Sequence, residues 1–129
     1  MKQPRSSRMR KVDELLREVI AEEVARLKDP RIGFVTVTGV DTSPDLRRAT
    51  VYYTVMGTED EQRETAEALD HAAPHLQGQV GGQVRMKYTP ILTFTPDEAV
   101  ERGLRMSQLL HQLEQEPPVV IDQPIEEPS

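Results

Sequence analysis

A long helical stripe near the amino terminus constrains the fold of this chain more than any other feature. Apolar residues recur every three or four positions, which predicts an amphipathic helix from about Ser6 to Leu27. The stripe consists of Met9, Val12, Leu15, Leu16, Val19, Ile20, Val24 and Leu27. Asp29-Pro30 ends it, because the residue before a proline avoids the helical region. A helix with one apolar face must cover another apolar surface of the chain.

The next segment carries the signals of two paired strands. Residues 34–40 are rich in β-branched side chains, and residues 48–55 alternate apolar with polar side chains. Residues 41–47 between them contain Ser43-Pro44-Asp45, which is typical of a turn. A hairpin is therefore predicted.

A second helical region begins at a capping box, in which Thr58 stands three residues before Glu61. Proline is poor inside a helix but good at its first position. We therefore predict a break at Ala72-Ala73 and a new helix that begins at Pro74. The buried residues of this new helix would be Leu76, Val80 and Val84.

The last third of the chain adds a strand and a helix. Residues 88–94 are predicted to form the third strand, and a helix is predicted to begin near Pro96-Asp97. Its apolar residues would be Val100, Leu104, Leu109, Leu110 and Leu113. The order helix, strand, strand, helix, helix, strand predicts an α+β domain of the type II KH kind, with an additional C-terminal helix.

Charge is distributed unevenly along the chain. The net charge is −6, yet the first eleven residues hold five basic and no acidic side chains. Residues 114–129 hold five acidic residues and four prolines and no basic residue. We predict one domain, residues 1–113, and a disordered acidic tail, residues 114–129, since the tail cannot bury enough surface to offset its ordering entropy. Without the tail the charge is −1, so a basic face is compatible with the composition.

The composition excludes several classes of function. The chain has no cysteine, which excludes disulfides and thiolate metal sites, and no apolar run approaches the ~20 residues that span a bilayer. His71 and His75 lie four apart, but the predicted break at Pro74 spoils their spacing for a metal, and exposed histidines are the preferred interpretation. The acidic residues from 59 to 67 are explained by a solvated helix face more simply than by a magnesium site. We predict a cytoplasmic protein that is no enzyme and has no metal or cofactor.

Several short stretches form one ordered series. They are Arg8-Met9-Arg10-Lys11-Val12, Asp29-Pro30-Arg31, Val35-Thr36-Val37-Thr38-Gly39-Val40, Ser43-Pro44-Asp45-Leu46, Ala49-Thr50-Val51-Tyr52, Arg85-Met86-Lys87-Tyr88-Thr89-Pro90-Ile91-Leu92-Thr93-Phe94 and Glu101-Arg102-Gly103-Leu104-Arg105-Met106. In order and spacing the series resembles the bacterial ribosome-binding factor A family over about residues 5–113.

The resemblance implies a KH-like, non-enzymatic assembly factor that binds the free 30S subunit and its 16S rRNA as a monomer. Such a factor promotes late maturation and 5′-end processing of the precursor 16S rRNA, is linked to growth in the cold, and is released by RNA rearrangement, a competing factor or a separate GTPase. The family has an Ala-x-Gly kink in place of the KH Gly-x-x-Gly loop. Ala72, Ala73 and Pro74 occupy that place here, with proline instead of glycine, and Gln77 stands where an arginine is often found. Gly78-Gln79-Val80-Gly81 matches the loop pattern, but it falls inside the predicted helix.

Nine basic residues are the candidates for contact with RNA phosphates. They are Arg5, Arg8, Arg10 and Lys11 on the first helix, Arg31, Arg47 and Arg48 around the hairpin ends, and Arg85 and Lys87 beside the third strand. Such contacts position a protein on RNA and select little sequence. Tyr52 and Tyr88 could stack on bases, although packing is the preferred role. The alternative function is a protein-interaction adaptor that docks on a ribosomal protein through its acidic surface without direct RNA binding.

Overall fold

The computed structural model describes residues 6–115 and contains three helices and three strands in that range. The elements are α1 (Ser7–Ala25), β1 (Phe34–Thr42), β2 (Arg48–Met56), α2 (Glu59–Gln83), β3 (Ile91–Pro96) and α3 (Glu98–Gln115). Residues up to 97 form one compact unit, and α3 belongs to a second. The predicted tail lies almost entirely outside the described residues, so the division into 1–113 and 114–129 stays a prediction.

The sheet of the first unit has the order β1-β2-β3. β1 and β2 are antiparallel and joined by the turn at residues 43–47, which confirms the predicted hairpin. β2 and β3 are parallel, and a parallel pair requires a long crossover connection, which α2 supplies. Both ends of α2 are therefore fixed, the first near the end of β2 and the second near the start of β3.

The core lies between the sheet and the helices α1 and α2. Alternate residues of each strand point toward the helices, and Tyr53 and Phe94 meet edge to face with ring centroids 6.5 Å apart. The buried apolar residues include Leu16, Ile20, Val37, Val51, Leu69 and Leu92. A buried carboxylate joins the two helices, since Gln83 Nε2 donates to Glu23 Oε2 at 2.7 Å.

The predicted break in the second helical region is wrong, because α2 runs without interruption through Ala72, Ala73 and Pro74. Buried side chains on both sides of Pro74, such as Leu69 and Leu76, continue one apolar stripe, whereas Pro74 itself is exposed. Packing of that stripe outweighs the lost hydrogen bond of the proline. The capping box of Thr58 and Glu61 is confirmed, and so is the burial of Leu76, Val80 and Val84.

One further expectation needs correction. β3 begins at Ile91 and not at Tyr88, because residues 84–90 form a loop that contacts the hairpin. The additional C-terminal helix is confirmed as α3, which begins at Glu98 and carries the predicted apolar residues Val100, Leu104, Leu109, Leu110 and Leu113 exposed within its own unit. An apolar stripe predicts a helix but does not show which surface, if any, packs against it.

Two glycines of α2 provide a matched test of the packing between α2 and the loop that follows. A Cβ at Gly78 would meet no atom within 4 Å, whereas a Cβ at Gly81 would lie 2.7 Å from Thr89 Oγ1. Gly78→Ala is expected to raise the free energy of unfolding by about 0.5–1 kcal/mol, because alanine favours the helix. Gly81→Ala is expected to gain less or to destabilise, because Thr89 must move. Urea unfolding followed by circular dichroism measures both, and equal gains would contradict a close contact at Gly81.

Candidate nucleic-acid interface

Three segments of the first unit meet at one end of the sheet, which we call the turn end. They are the beginning of α1, the turn at residues 43–47 and the loop at residues 84–90. The N–H of Thr42 donates to Asp13 Oδ1 at 3.0 Å, which fixes α1 at the end of β1. The N–H of Ile91 donates to the carbonyl of Arg47 at 2.9 Å, which fixes the loop beside the turn.

The turn end brings most of the predicted RNA-binding residues together. Arg8, Arg10 and Lys11 occupy the beginning of α1, Arg47 and Arg48 the start of β2, and Arg85 and Lys87 the loop. All seven are exposed, whereas Arg5 lies outside the described residues. The first turn of α1 contains no acidic residue, so the positive end of its helix dipole adds to the same field. Cations that cluster at the start of a helix favour binding of nucleic-acid phosphates.

Tyr88 organises two of these cations. The guanidinium of Arg47 lies 4.1 Å from the centroid of the Tyr88 ring, and the ammonium of Lys87 lies 5.5 Å from it. Both distances are within the range of a cation–π contact. The ring is therefore engaged by cations of the protein, which favours a positioning role over base stacking. Tyr52 is half-buried in β2.

Asp45 shapes the turn from which Arg47 and Arg48 project. Its Oδ1 accepts a hydrogen bond from Ser43 Oγ at 2.6 Å and another from the N–H of Arg47 at 3.1 Å. These two bonds hold the pKa of Asp45 below its usual range, so the carboxylate remains charged. Leu46 adopts a left-handed backbone with φ of 62°, which is uncommon for a residue with a branched side chain. The turn is thus tightly defined.

Arg31 is the one described candidate that lies elsewhere, at the opposite end of the sheet beside the start of β1. Its guanidinium binds Asp29 through two nitrogens, with Nη2 2.7 Å from Oδ2 and Nε 3.1 Å from Oδ1. The Thr65 hydroxyl donates to the Arg31 carbonyl and accepts from the N–H of Gly33, both at 3.2 Å, which ties this segment to α2. The structure does not bring Arg31 together with the other basic candidates.

The ion pair at Asp29 predicts a pH dependence. Hydrogen bonds from the Arg31 side chain and N–H lower the pKa of Asp29 from 3.8 to about 2. A depressed folded-state pKa stabilises the fold above the unfolded value, so this contribution is present above about pH 4 and lost as the pH falls toward 2. Carboxyl ¹³C NMR should show the low pKa of Asp29. Arg31→Gln should raise it only part of the way toward 3.8, because the N–H of residue 31 still donates to the carboxylate, and Arg63→Gln should leave it unchanged. A normal pKa in the unmodified chain would contradict the pair.

Two of the three predicted kink residues line a cleft between the second half of α2 and β3, and Ala72 does not. Ala73 and Pro74 form part of one wall, and Ile91 and Leu92 belong to the other. The remaining lining residues are Asp70, Gln77, Gly78, Gly81 and Thr89. Asp70 and Thr89 were not predicted as site residues, because nothing in the local sequence indicates that α2 and β3 run side by side. Gly78 and Gly81 lie within α2, as predicted, and form no Gly-x-x-Gly loop.

The described residues give no support for a metal site. His71 and His75 are exposed on one continuous helix, so their spacing is intact, contrary to the prediction. Within residues 6–115 no group of three or more His, Asp or Glu side chains could hold a metal ion. None of the helices in that range combines the length and apolar character needed to cross a membrane.

The sheet, the two helices that cover it and the exposed basic end define a KH-like α+β domain, a class built for binding. The family model for ribosome-binding factor A matches residues 8–110. The chain belongs to the ribosome-binding factor A family, which confirms the resemblance seen in the sequence.

Relatives and solved structures agree with this assignment. Ribosome-binding factor A of Geobacter sulfurreducens is 42% identical over 111 residues, which cover 85% of this chain and 94% of the relative. That of Rubrobacter xylanophilus is 45% identical over 108 residues, or 83% and 88% of the two chains. The crystal structure of the Thermus thermophilus factor has a TM-score of 0.65 at 31% identity and covers 70% of this chain and 97% of that one. Coordinates of the Thermus thermophilus factor fitted into a map of its 30S complex have a TM-score of 0.57 at 32% identity and cover 67% and 91%.

Proposed function

We propose that this protein binds the free 30S subunit by placing its turn end against phosphates of 16S rRNA. The observation that carries the proposal is that seven exposed basic residues lie on the three segments at the turn end, two of them on the Tyr88 ring. Several phosphate contacts made at once give affinity that does not depend on sequence. The fitted 30S complex of the Thermus thermophilus relative supports the choice of partner.

The protein acts as a non-enzymatic factor in the cytoplasm. It recognises folded rRNA by the positions of phosphates and holds one conformation during late maturation and 5′-end processing of precursor 16S rRNA. A binding protein shifts such an equilibrium only by its different affinity for the two RNA states. Release follows when the preferred conformation disappears, through RNA rearrangement, a competing factor or a separate GTPase. The chain binds as a monomer.

Sedimentation tests the proposal. The purified full chain is mixed with free 30S subunits or with intact ribosomes at two salt concentrations. Co-migration with free subunits that decreases at the higher salt, with little binding to intact ribosomes, is expected. Binding to neither particle would refute the proposal. Binding that survives removal of the accessible RNA by nuclease would favour the adaptor alternative.

The Tyr88 ring should strengthen binding to 30S subunits because it positions Arg47 and Lys87. Tyr88→Leu is expected to weaken binding to 30S subunits by about two- to fivefold, since a cation–π contact contributes about 0.5–1 kcal/mol. Tyr88→Phe keeps the ring face and is expected to bind as the unchanged protein does. Fluorescence anisotropy at fixed salt measures both affinities. Equal losses in the two variants would show that the hydroxyl group matters and not the ring.

A further inference from the structure

We propose that the end of the sheet opposite the turn end is a docking surface for a basic protein segment that carries an apolar side chain. We call this surface the acidic end and define it by Phe34, Met56 and residues 59–64. It is distinct from the surface proposed to contact RNA, and its argument rests on other residues.

Two exposed apolar side chains form the centre of the acidic end. Phe34 and Met56 are 80% and 77% exposed and are direct partners in the antiparallel register of β1 and β2. Their neighbours Val35 and Val55 pack against the core, so Phe34 and Met56 project from the other face of the sheet. A large aromatic and an adaptable thioether side by side are typical anchors of protein interfaces.

The acidic residues that follow Met56 in the chain indicate which kind of partner would bind. Only Gly57 and Thr58 separate Met56 from the first turn of α2, which contains Glu59, Asp60 and Glu61. Residues 59–67 hold five acidic side chains and one basic one, Arg63, which already binds Asp60. Phosphates are repelled by such a surface, whereas lysine and arginine side chains are attracted. The occupant that fits both features is a basic protein segment and not RNA.

The position of the acidic end permits binding at both ends together. Arg48 and Met56 are the first and last residues of β2. A strand rises about 3.3 Å per residue, so the two residues lie roughly 26 Å apart. A partner on Phe34 and Met56 would therefore leave Arg47, Arg48 and Lys87 accessible, and the protein could join RNA to a basic protein.

Direct titration tests the proposal. The probes are the individually purified proteins of the 30S subunit, treated with nuclease and titrated against the fluorescently labelled full chain. We expect a basic protein of this set to bind. The double variant Phe34→Ser/Met56→Ser is expected to bind it at least tenfold more weakly. Ile91→Ser is the matched control, because Ile91 is also an exposed apolar residue of the sheet but lies at the turn end, and it should bind normally.

The results separate this proposal from the RNA-binding one. Phe34 and Met56 are largely exposed, so their replacement should change stability little, which thermal unfolding verifies. The double variant should retain its salt-sensitive affinity for RNA. Absence of binding by every protein, equal binding by the double variant and the unchanged chain, or binding only when RNA is present would each overturn the docking surface, while the turn end would be judged by its own variants.

Discussion

The double variant Arg47→Ala/Lys87→Ala is expected to lose between about tenfold and about a hundredfold in affinity for free 30S subunits at 0.1 M salt. Arg47 and Lys87 both lie within cation–π distance of the Tyr88 ring at the turn end. Each phosphate contact contributes close to one unit to the slope of log affinity against log salt. We therefore expect the slope to fall by about two, which anisotropy titrations over a range of salt measure.

The control for this variant removes the same charge from the opposite end of the sheet. Arg31→Ala/Arg63→Ala deletes two arginines that are held by Asp29 and Asp60. It should leave the salt slope nearly unchanged. If both double variants weakened binding equally, net charge alone would govern the affinity and the turn end would have no special role.

Replacement of Pro74 by alanine is expected to raise the free energy of unfolding by about 1–2 kcal/mol. Proline inside a helix costs about 3 kcal/mol relative to alanine, and part of that cost is offset because proline restricts the unfolded chain. Pro74 is exposed in the middle of the continuous helix α2, so its removal opens no cavity in the core. Guanidinium unfolding measures the change. Pro44→Ala, in the exposed turn, is the control and should give no gain.

The same variant tests whether Pro74, in the predicted kink, contributes to binding. A proline is the usual cause of a bend inside a helix. A change of helix geometry at position 74 would displace the second half of α2 and with it the loop that carries Arg85 and Lys87. We therefore expect Pro74→Ala to bind 30S subunits more weakly although it is more stable. A gain in stability with unchanged affinity would show that Pro74 has no role in binding, and a loss of stability would show that the fold requires the proline.

The sequence predicted the elements well where periodicity and capping act locally. The first helix, predicted from about Ser6 to Leu27, is observed as Ser7–Ala25, so its end was placed two residues too late, and the capping box at Thr58 and Glu61 is confirmed. The break predicted at Pro74 was wrong, because it was based on the low helix propensity of proline. The packing of apolar side chains along the whole of α2 outweighs that propensity. The start of β3 was placed too early, because contacts of Tyr88 and the 84–90 loop with the hairpin depend on residues distant in sequence.

The candidate site could be predicted only as a set of residue types. Nothing in the local sequence indicates that Lys87 and Arg47 both lie over the Tyr88 ring. The contact of Lys87 and Arg47 with Tyr88 follows from the parallel pairing of β3 with β2, which fixes where the loop before β3 ends, whereas the position of Arg31 follows from the antiparallel hairpin of β1 and β2. The pairing register of distant strands is a tertiary property, so composition and charge could suggest RNA binding but not the face that performs it.

The opposite charges at the two ends of the sheet have a consequence for the speed of binding. A body that is positive at one end and negative at the other experiences a torque in the field of a polyanion. The protein would therefore turn its positive end toward the RNA during diffusion, before any contact forms. A larger fraction of collisions would then lead to binding, which raises the association rate. Salt should then slow association far more than it hastens dissociation, so stopped-flow rates would report the orientation of the encounter as well as its strength.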